Sequence, residues 1–194
     1  MCSMGKNLYG IIILSLVSSL LVACGRGSNT AGSRSQQVSE PRIEETQAPA
    51  DLAARILTGA DAILQAINVL RAEAGVPALI IQPVLNEIAS ARATDLAVRS
   101  YLGHEDPDTG EVEVKTTLAD IGYSGPAAEL LLASQDLLDD VPASVTEAWF
   151  NDPMHKALLL EPSFRYCGIG MMGDGDVWMI SMVLTVGLPE EVTP

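Results

Sequence analysis

Histidine, cysteine and aromatic residues are scarce in this chain, and cationic residues are outnumbered more than two to one. Its 194 residues include two His and three Cys, aromatics make up 4%, and 11 Lys plus Arg face 25 Asp plus Glu. The formal charge of −14 repels phosphate backbones and anionic membrane surfaces, which argues against nucleic acid as a partner. From Asp51 onward the imbalance sharpens to seven basic against 22 acidic residues. What is present in quantity is apolar: 48% hydrophobic residues in a chain of this length supply one globular core, though not two ordinary domains.

Residues 8–23, LYGIIILSLVSSLLVA, form an uncharged run behind Lys6. It is short for a membrane span and correctly placed for a secretory signal. The run ends in Leu21-Val22-Ala23-Cys24-Gly25, which resembles the lipobox of a bacterial lipoprotein, where the cysteine is acylated and becomes the new N-terminus. An uncleaved anchor, or ordinary cleavage with Cys24 incidental, is the alternative. In each case the domain lies outside the cytoplasm. Residues 1–23 are therefore assigned to the signal peptide and 24–50, rich in Ser, Gly, Gln and charge, to the lipidated cysteine and a flexible tether. Residues 51–194 form the folded domain. With Cys2 lost and Cys24 acylated, Cys167 is the domain's lone thiol, so no internal disulfide can form and the fold rests on its core. Its apolar surroundings mark it as a small buried hydrophobe.

Ile56, Ile63, Ile67, Leu70 and Ala74 recur at helical spacing until Gly75-Val76-Pro77, with Asn68, Arg71 and Glu73 off the apolar face. A short extended stretch, Leu79-Ile80-Ile81, leads through Pro83 into a second helix. There Leu85, Ala89, Ala93 and Ala97 make a small-residue stripe suited to close packing on a sheet. This helix is expected to end near Leu102-Gly103 and deliver His104 into the loop HEDPDTGE. Further helices are expected at Thr116–Ile121, Ala127–Ala133, Pro142–Phe150 and from Pro153. Two apolar runs, Tyr166–Met172 and Val177–Val186, flank Gly173-Asp174-Gly175-Asp176 and read as a β-hairpin. Helices first and principal strands last indicate an α+β fold, helices covering an antiparallel sheet.

Several motifs fail on context. Gly168-Ile-Gly170-Met-Met-Gly173 matches a dinucleotide-binding fingerprint in letters, but it lies in a strand entering a hairpin and opens no helix. Asp106-Pro-Asp108-Thr-Gly110 lacks the glycine position and the twelfth-position carboxylate of a calcium loop. No H-E-x-x-H occurs. What survives is the pair of histidines, His104 and His155, each following a helix and accompanied by carboxylates. Such groups suit zinc ligation or proton transfer, and equally occur as ordinary loop histidines.

A wider pattern joins these pieces. Residues Ile63–Arg71, Tyr101-Leu102-Gly103-His104 with Pro107-Asp108, Ile121-Gly122-Tyr123, Ala128-Glu129, Trp149–Lys156 and Cys167–Gly170 stand in the order seen in bacterial members of the CAP superfamily. That superfamily unites cysteine-rich secretory, antigen 5 and pathogenesis-related 1 proteins, and the resemblance runs from about Ala62 to Gly187. It implies an α-β-α sandwich with a shallow cleft lined by two histidines and two acidic residues: His104, Glu129, Asp152 and His155. The chain departs from the pattern where Leu130 follows the motif glutamate and where Trp178-Met179-Ile180-Ser181 replaces an amide-bearing strand motif. Those losses remove polar positioning groups from the cleft. Trp149 is assigned to core packing.

The resulting expectation is an extracytoplasmic, lipid-anchored protein of the bacterial cell envelope that offers a His/acidic cleft to a small ligand or an envelope component. The alternative is a metal-assisted hydrolase, with zinc or another divalent cation on His104 and His155, Glu129 as general base and Asp152 orienting or ligating. Lipid or sterol binding is a third reading, tied by the sequence to no particular groove.

Overall fold

The computed structural model describes residues 47–173 and 175–188. The signal run, Cys24 and most of the tether lie outside the described residues. Helix α1 spans Gln47–Glu73, so it begins four residues inside the segment assigned to the tether. Strand β1 (Ile80–Ile81) and helix α2 (Pro83–Arg99) follow, then α3 (Glu113–Asp120), β2 (Ala127–Ser134), α4 (Val141–Asn151), α5 (Pro153–Leu159), β3 (Tyr166–Gly173) and β4 (Trp178–Thr185). Prolines open α2, α4 and α5, where their missing N–H would have no partner in any case.

The four strands form one sheet in the order β1-β3-β4-β2. Strands β3 and β4 pair antiparallel as the expected hairpin, and β4 pairs antiparallel with β2. The sheet is mixed, however, because β1 runs parallel to β3, aligning Ile80 with Tyr166 and Ile81 with Cys167. The antiparallel expectation thus holds for three strands. A chain that reaches β3 from β1 by way of four helices and one other strand is free to enter alongside in the same direction.

The helix expected over Ala127–Ala133 is strand β2. Its run AAELLLAS is short and satisfies either period, and pairing decides the outcome. Register with β4 sets Leu130 opposite Met182 and Glu129 opposite Val183, dividing the strand between two buried faces. Helix α2 stops at Arg99, where Ser100 takes a left-handed conformation (φ 54°), earlier than expected. Helix α3 likewise starts three residues sooner than the sequence suggests.

Helices cover both faces of the sheet. On one side Cys167, Ile169 and Met171 of β3 and Ile180, Met182 and Leu184 of β4 pack with Ile63 and Ile67 of α1, Val145 and Trp149 of α4, and Leu159 of α5. Trp149 is fully buried and donates its indole N–H to the carbonyl of Leu131 at 3.4 Å. Cys167 is buried here, which pushes its thiol up to about 12 and leaves it inert. On the other side Val183 meets Leu85, Ile88 and Ala89 of α2 and Val114 and Leu118 of α3. Here the backbones touch: a Cβ on Gly168 would lie 2.0 Å from the Leu85 carbonyl carbon, and one on Gly170 2.2 Å from the Ala89 oxygen. Gly168 and Gly170 therefore face the small-residue stripe of α2 and let helix and sheet close together. Asn86 completes this contact by accepting the Ile169 N–H at 2.8 Å.

Arg71, expected off the apolar face of α1, is fully buried. Its guanidinium donates to the carbonyls of Pro77 (2.7 Å), Leu159 (2.5 Å) and Phe164 (2.9 Å), tying the end of α1 to α5 and to the approach to β3. Desolvation lowers its pKa, and ring-fenced carbonyl dipoles take the place of a carboxylate partner. Asn68 plays a parallel part, exchanging two hydrogen bonds with the backbone of Leu79 and fixing the chain just before β1.

Candidate functional site

The site grows from the side of the sheet that α2 covers. Glu129 sits on the border strand β2, in the row that runs through Val183 to Gly168, and so points toward α2. The start of β2 is set by Tyr123, whose hydroxyl donates to the Pro126 carbonyl (2.8 Å) and accepts from the Val186 N–H (3.2 Å). A carboxylate carried inward this way, with its side chain 5% exposed, requires partners, and it has one for each oxygen. Arg92 of α2 donates through Nε to Oε1 at 3.0 Å, and His104 Nδ1 lies 2.7 Å from Oε2.

Arg92 is itself almost wholly buried, with 1% side-chain exposure. Besides Glu129 it donates to Asp95 (3.1 Å), to the Tyr101 hydroxyl (2.5 Å) and to the Gly103 carbonyl. Burial works against its charge, but the hydroxyl of Tyr101 and the carboxylate of Glu129 outweigh it and hold its pKa above the ordinary value. Tyr101 stacks its ring against the guanidinium of Arg92 (5.3 Å) and that of Arg99 (5.2 Å), and its hydroxyl donates to Asp95. Through Gly103 and Tyr101, Arg92 holds the segment that carries His104 as well as the glutamate that meets it.

The loop beyond His104 is closed by its own network. Asp106 accepts the N–H groups of Asp108 and Thr109, and its other oxygen takes Arg99 at 2.5 Å. The Arg99 hydrogen bond, with those backbone donors, holds the Asp106 carboxyl well below the usual carboxylate range. Gly110 turns the chain with φ 73°, Glu105 bridges to Val112, and Glu113 N–H donates to the His104 carbonyl. The Asp-rich stretch set aside as a calcium loop is thus an arginine-clasped turn.

His155 and Asp152 form a second pair. Asp152 caps α5, accepting from the backbone of Met154 (2.9 Å) and His155 (2.8 Å), and those donors lower its pKa, the His155 N–H contributing most. The His155 ring Nδ1 lies 3.2 Å from the same oxygen. The structure therefore joins His104 with Glu129, and His155 with Asp152. One pair joins β2 to the segment after α2 and the other stands at the start of α5, and among the described residues no hydrogen bond or ion pair links the two. Among the described residues no group of three or more His, Cys, Asp or Glu side chains is arranged to hold a metal ion. Both oxygens of Glu129 are committed and a guanidinium cation stands against one of them, so this carboxylate is not free to ligate a metal ion, whereas His104 keeps its second ring nitrogen.

Beside Glu129 runs a groove of about 580 Å³ between α3 and the start of β2. Its walls are mainly apolar, formed by Val112, Leu118, Ala119, Tyr123 and Ala127, with Lys115 and Glu129 as its charged members. Neither the groove nor Arg92 is foreseen by the sequence reading. The available signal was the position of Arg92 between Ile88 and Leu96 at helical spacing, a cation on a face otherwise apolar.

Residues 64–186 match the family described as "CAP: Cysteine-rich secretory protein family". The uncharacterised protein YkwD of Bacillus subtilis is 27% identical over 150 residues, covering 77% of this chain and 54% of its own length, so the chain spans about half of that relative. A solved extracellular protein with an SCP domain from Bacillus anthracis superposes with a TM-score of 0.59 at 20% identity, covering 72% of this chain and 44% of that one. An outer surface protein of Borrelia burgdorferi superposes with a TM-score of 0.54 at 18% identity, covering 66% and 92% of the two chains.

Proposed function

Given that this chain belongs to the cysteine-rich secretory protein (CAP) family, we propose that it serves as a ligand-binding module of the bacterial cell envelope, held outside the cytoplasm by lipid on Cys24. The observation that carries the binding reading is the placement of Glu129. It closes one part of an apolar groove while Arg92 and His104 hold it in a fixed orientation. An apolar cavity with a few oriented polar groups is the usual form of a small-molecule site. The ligand's apolar body would lie against Leu118, Ala119 and Tyr123, and its polar end would meet Glu129, with His104 bonded to that carboxylate just beyond the groove's lining. Separate His–carboxylate pairs favour recognition over metal-assisted hydrolysis, which needs several ligands converging on one ion with a position left open.

The test uses the neutral apolar dye N-phenyl-1-naphthylamine as a probe of the groove. Saturable fluorescence enhancement is expected with the intact chain. Ala119→Trp, at an exposed position on the groove wall, is expected to weaken binding by about tenfold or more. Equal binding by the two proteins would refute the assignment of the groove. The anchor is tested separately: Cys24→Ser is expected to abolish incorporation of labelled fatty acid and to move the protein out of the membrane fraction.

A further inference from the structure

A carboxylate accepts hydrogen bonds and donates none, so an imidazole nitrogen that bonds to it must carry the proton. Glu129 takes Arg92 on Oε1 and His104 Nδ1 on Oε2, and its side chain is 5% exposed, leaving little freedom to exchange the two partners. With Nδ1 protonated, neutral His104 keeps its lone pair on Nε2, the nitrogen away from Glu129, on a ring whose side chain is 54% exposed.

We infer that the outward end of this pair is a hydrogen-bond acceptor that receives a donor group of the ligand, an ammonium, amide N–H or hydroxyl, and that Arg92 is the positioning residue that keeps it so. The inference rests on the groove being the binding site, and it narrows the ligand class. A carboxylate or phosphate head bonded at His104 Nε2 would meet an acceptor, and Glu129 in the groove lining is an acceptor as well. Lys115 lines the groove as well, but the domain's excess of acid over base works against anions in general.

Arg92 acts on the histidine through Glu129, and this gives an unusual consequence. In Glu129→Gln the guanidinium, which can only donate, claims the amide oxygen. The amide NH2 is left facing His104 Nδ1 and donates to it. The ring proton must then move to Nε2, and the outward end changes from acceptor to donor. A mere loss of packing would not invert a tautomer.

The experiment is two-bond 1H–15N correlation on the full chain labelled at histidine, recorded over a pH series and read where the two-bond pattern itself identifies neutral rings. With two histidines in the chain, His155→Gln assigns the signals. Wild type is expected to show His104 with Nδ1 protonated and Nε2 bare, Arg92→Lys to keep that pattern, and Glu129→Gln to reverse it. A wild-type His104 protonated at Nε2, or no change in Glu129→Gln, overturns the inference. Should Glu129→Gln fail to fold, the wild-type spectrum still decides the first point, and a matched pair of probes decides the second. n-Octylammonium is expected to shift the His104 Nε2 resonance and n-octanoate to leave it unmoved at equal concentration, in 0.5 M salt to screen the net charge, on the order of a 4 Å Debye length. Equal or reversed responses overturn the ligand class. The dye titration above is independent of the tautomer, so failure of the groove and failure of this inference give different results.

Discussion

The two faces of the sheet solve the same packing problem by opposite means. Toward α1, α4 and α5 the strands present bulky side chains, and Trp149, Ile63 and Met182 fill the space between layers. Toward α2 they present Gly168 and Gly170, so the layers approach until backbone meets backbone, and Val183 is a buried apolar member from the strands. The bulky face gains stability from area removed from water. The bare face gains proximity, and with it the reach that lets Arg92 on a helix touch Glu129 on a strand. The Arg92–Glu129 contact and the close packing are thus consequences of the same two glycines.

This contrast can be broken from either side. Trp149→Ala removes the largest fully buried side chain of the bulky face and leaves the Leu131 carbonyl without its donor. A loss of about 3–5 kcal/mol is expected, measured by urea unfolding. Gly168→Ala acts on the bare face, where the new methyl meets backbone that cannot rotate aside. A cost of about 1–3 kcal/mol is expected, accompanied by a change in the His104 resonances that Trp149→Ala does not produce. If both variants lose stability with His104 undisturbed, the glycines do not set the site.

The smallest effect concerns charge. Asp106→Asn keeps the acceptor for the backbone of Asp108 and Thr109 but removes the charge that Arg99 clasps. Because the folded-state pKa of Asp106 is depressed, its stabilising contribution is present above the ordinary carboxylate value and is lost as pH falls through the depressed one. The difference in urea midpoint between wild type and Asp106→Asn is therefore expected to be full at neutral pH and to close below about pH 4. A gap that stays constant with pH would show that the Asp106 carboxyl is not held below its ordinary range.

The same contrast explains what could be read from the sequence. Helices α1 and α2 and the β3–β4 hairpin announce themselves through period and turn residues, and the alanine stripe of α2 points to close contact with a sheet. Strand β2 does not, because seven small and apolar residues fit helix and strand alike until β4 offers a ladder. At the site, His104, Glu129, Asp152 and His155 were named by resemblance to a family, but their grouping into two pairs depends on distances that chain separation does not encode. Arg71 reads as a cation on the polar face of α1 and Arg92 as a break in an apolar face of α2, and neither pattern shows that each is buried through partners supplied by segments far along the chain.

The position of Glu129 also bears on how copies of this domain behave when crowded together. Sheet borders invite foreign strands, and this sheet has two. Strand β1, two residues long, offers too little ladder to recruit one. Strand β2 is eight residues long and largely apolar, yet the acidic side chain of Glu129 stands at its third position, already spoken for on both oxygens. A foreign strand laid along β2 would have to fit beside the Arg92–Glu129–His104 contacts, so the residue that holds the histidine also narrows what the longer border of the sheet can accept.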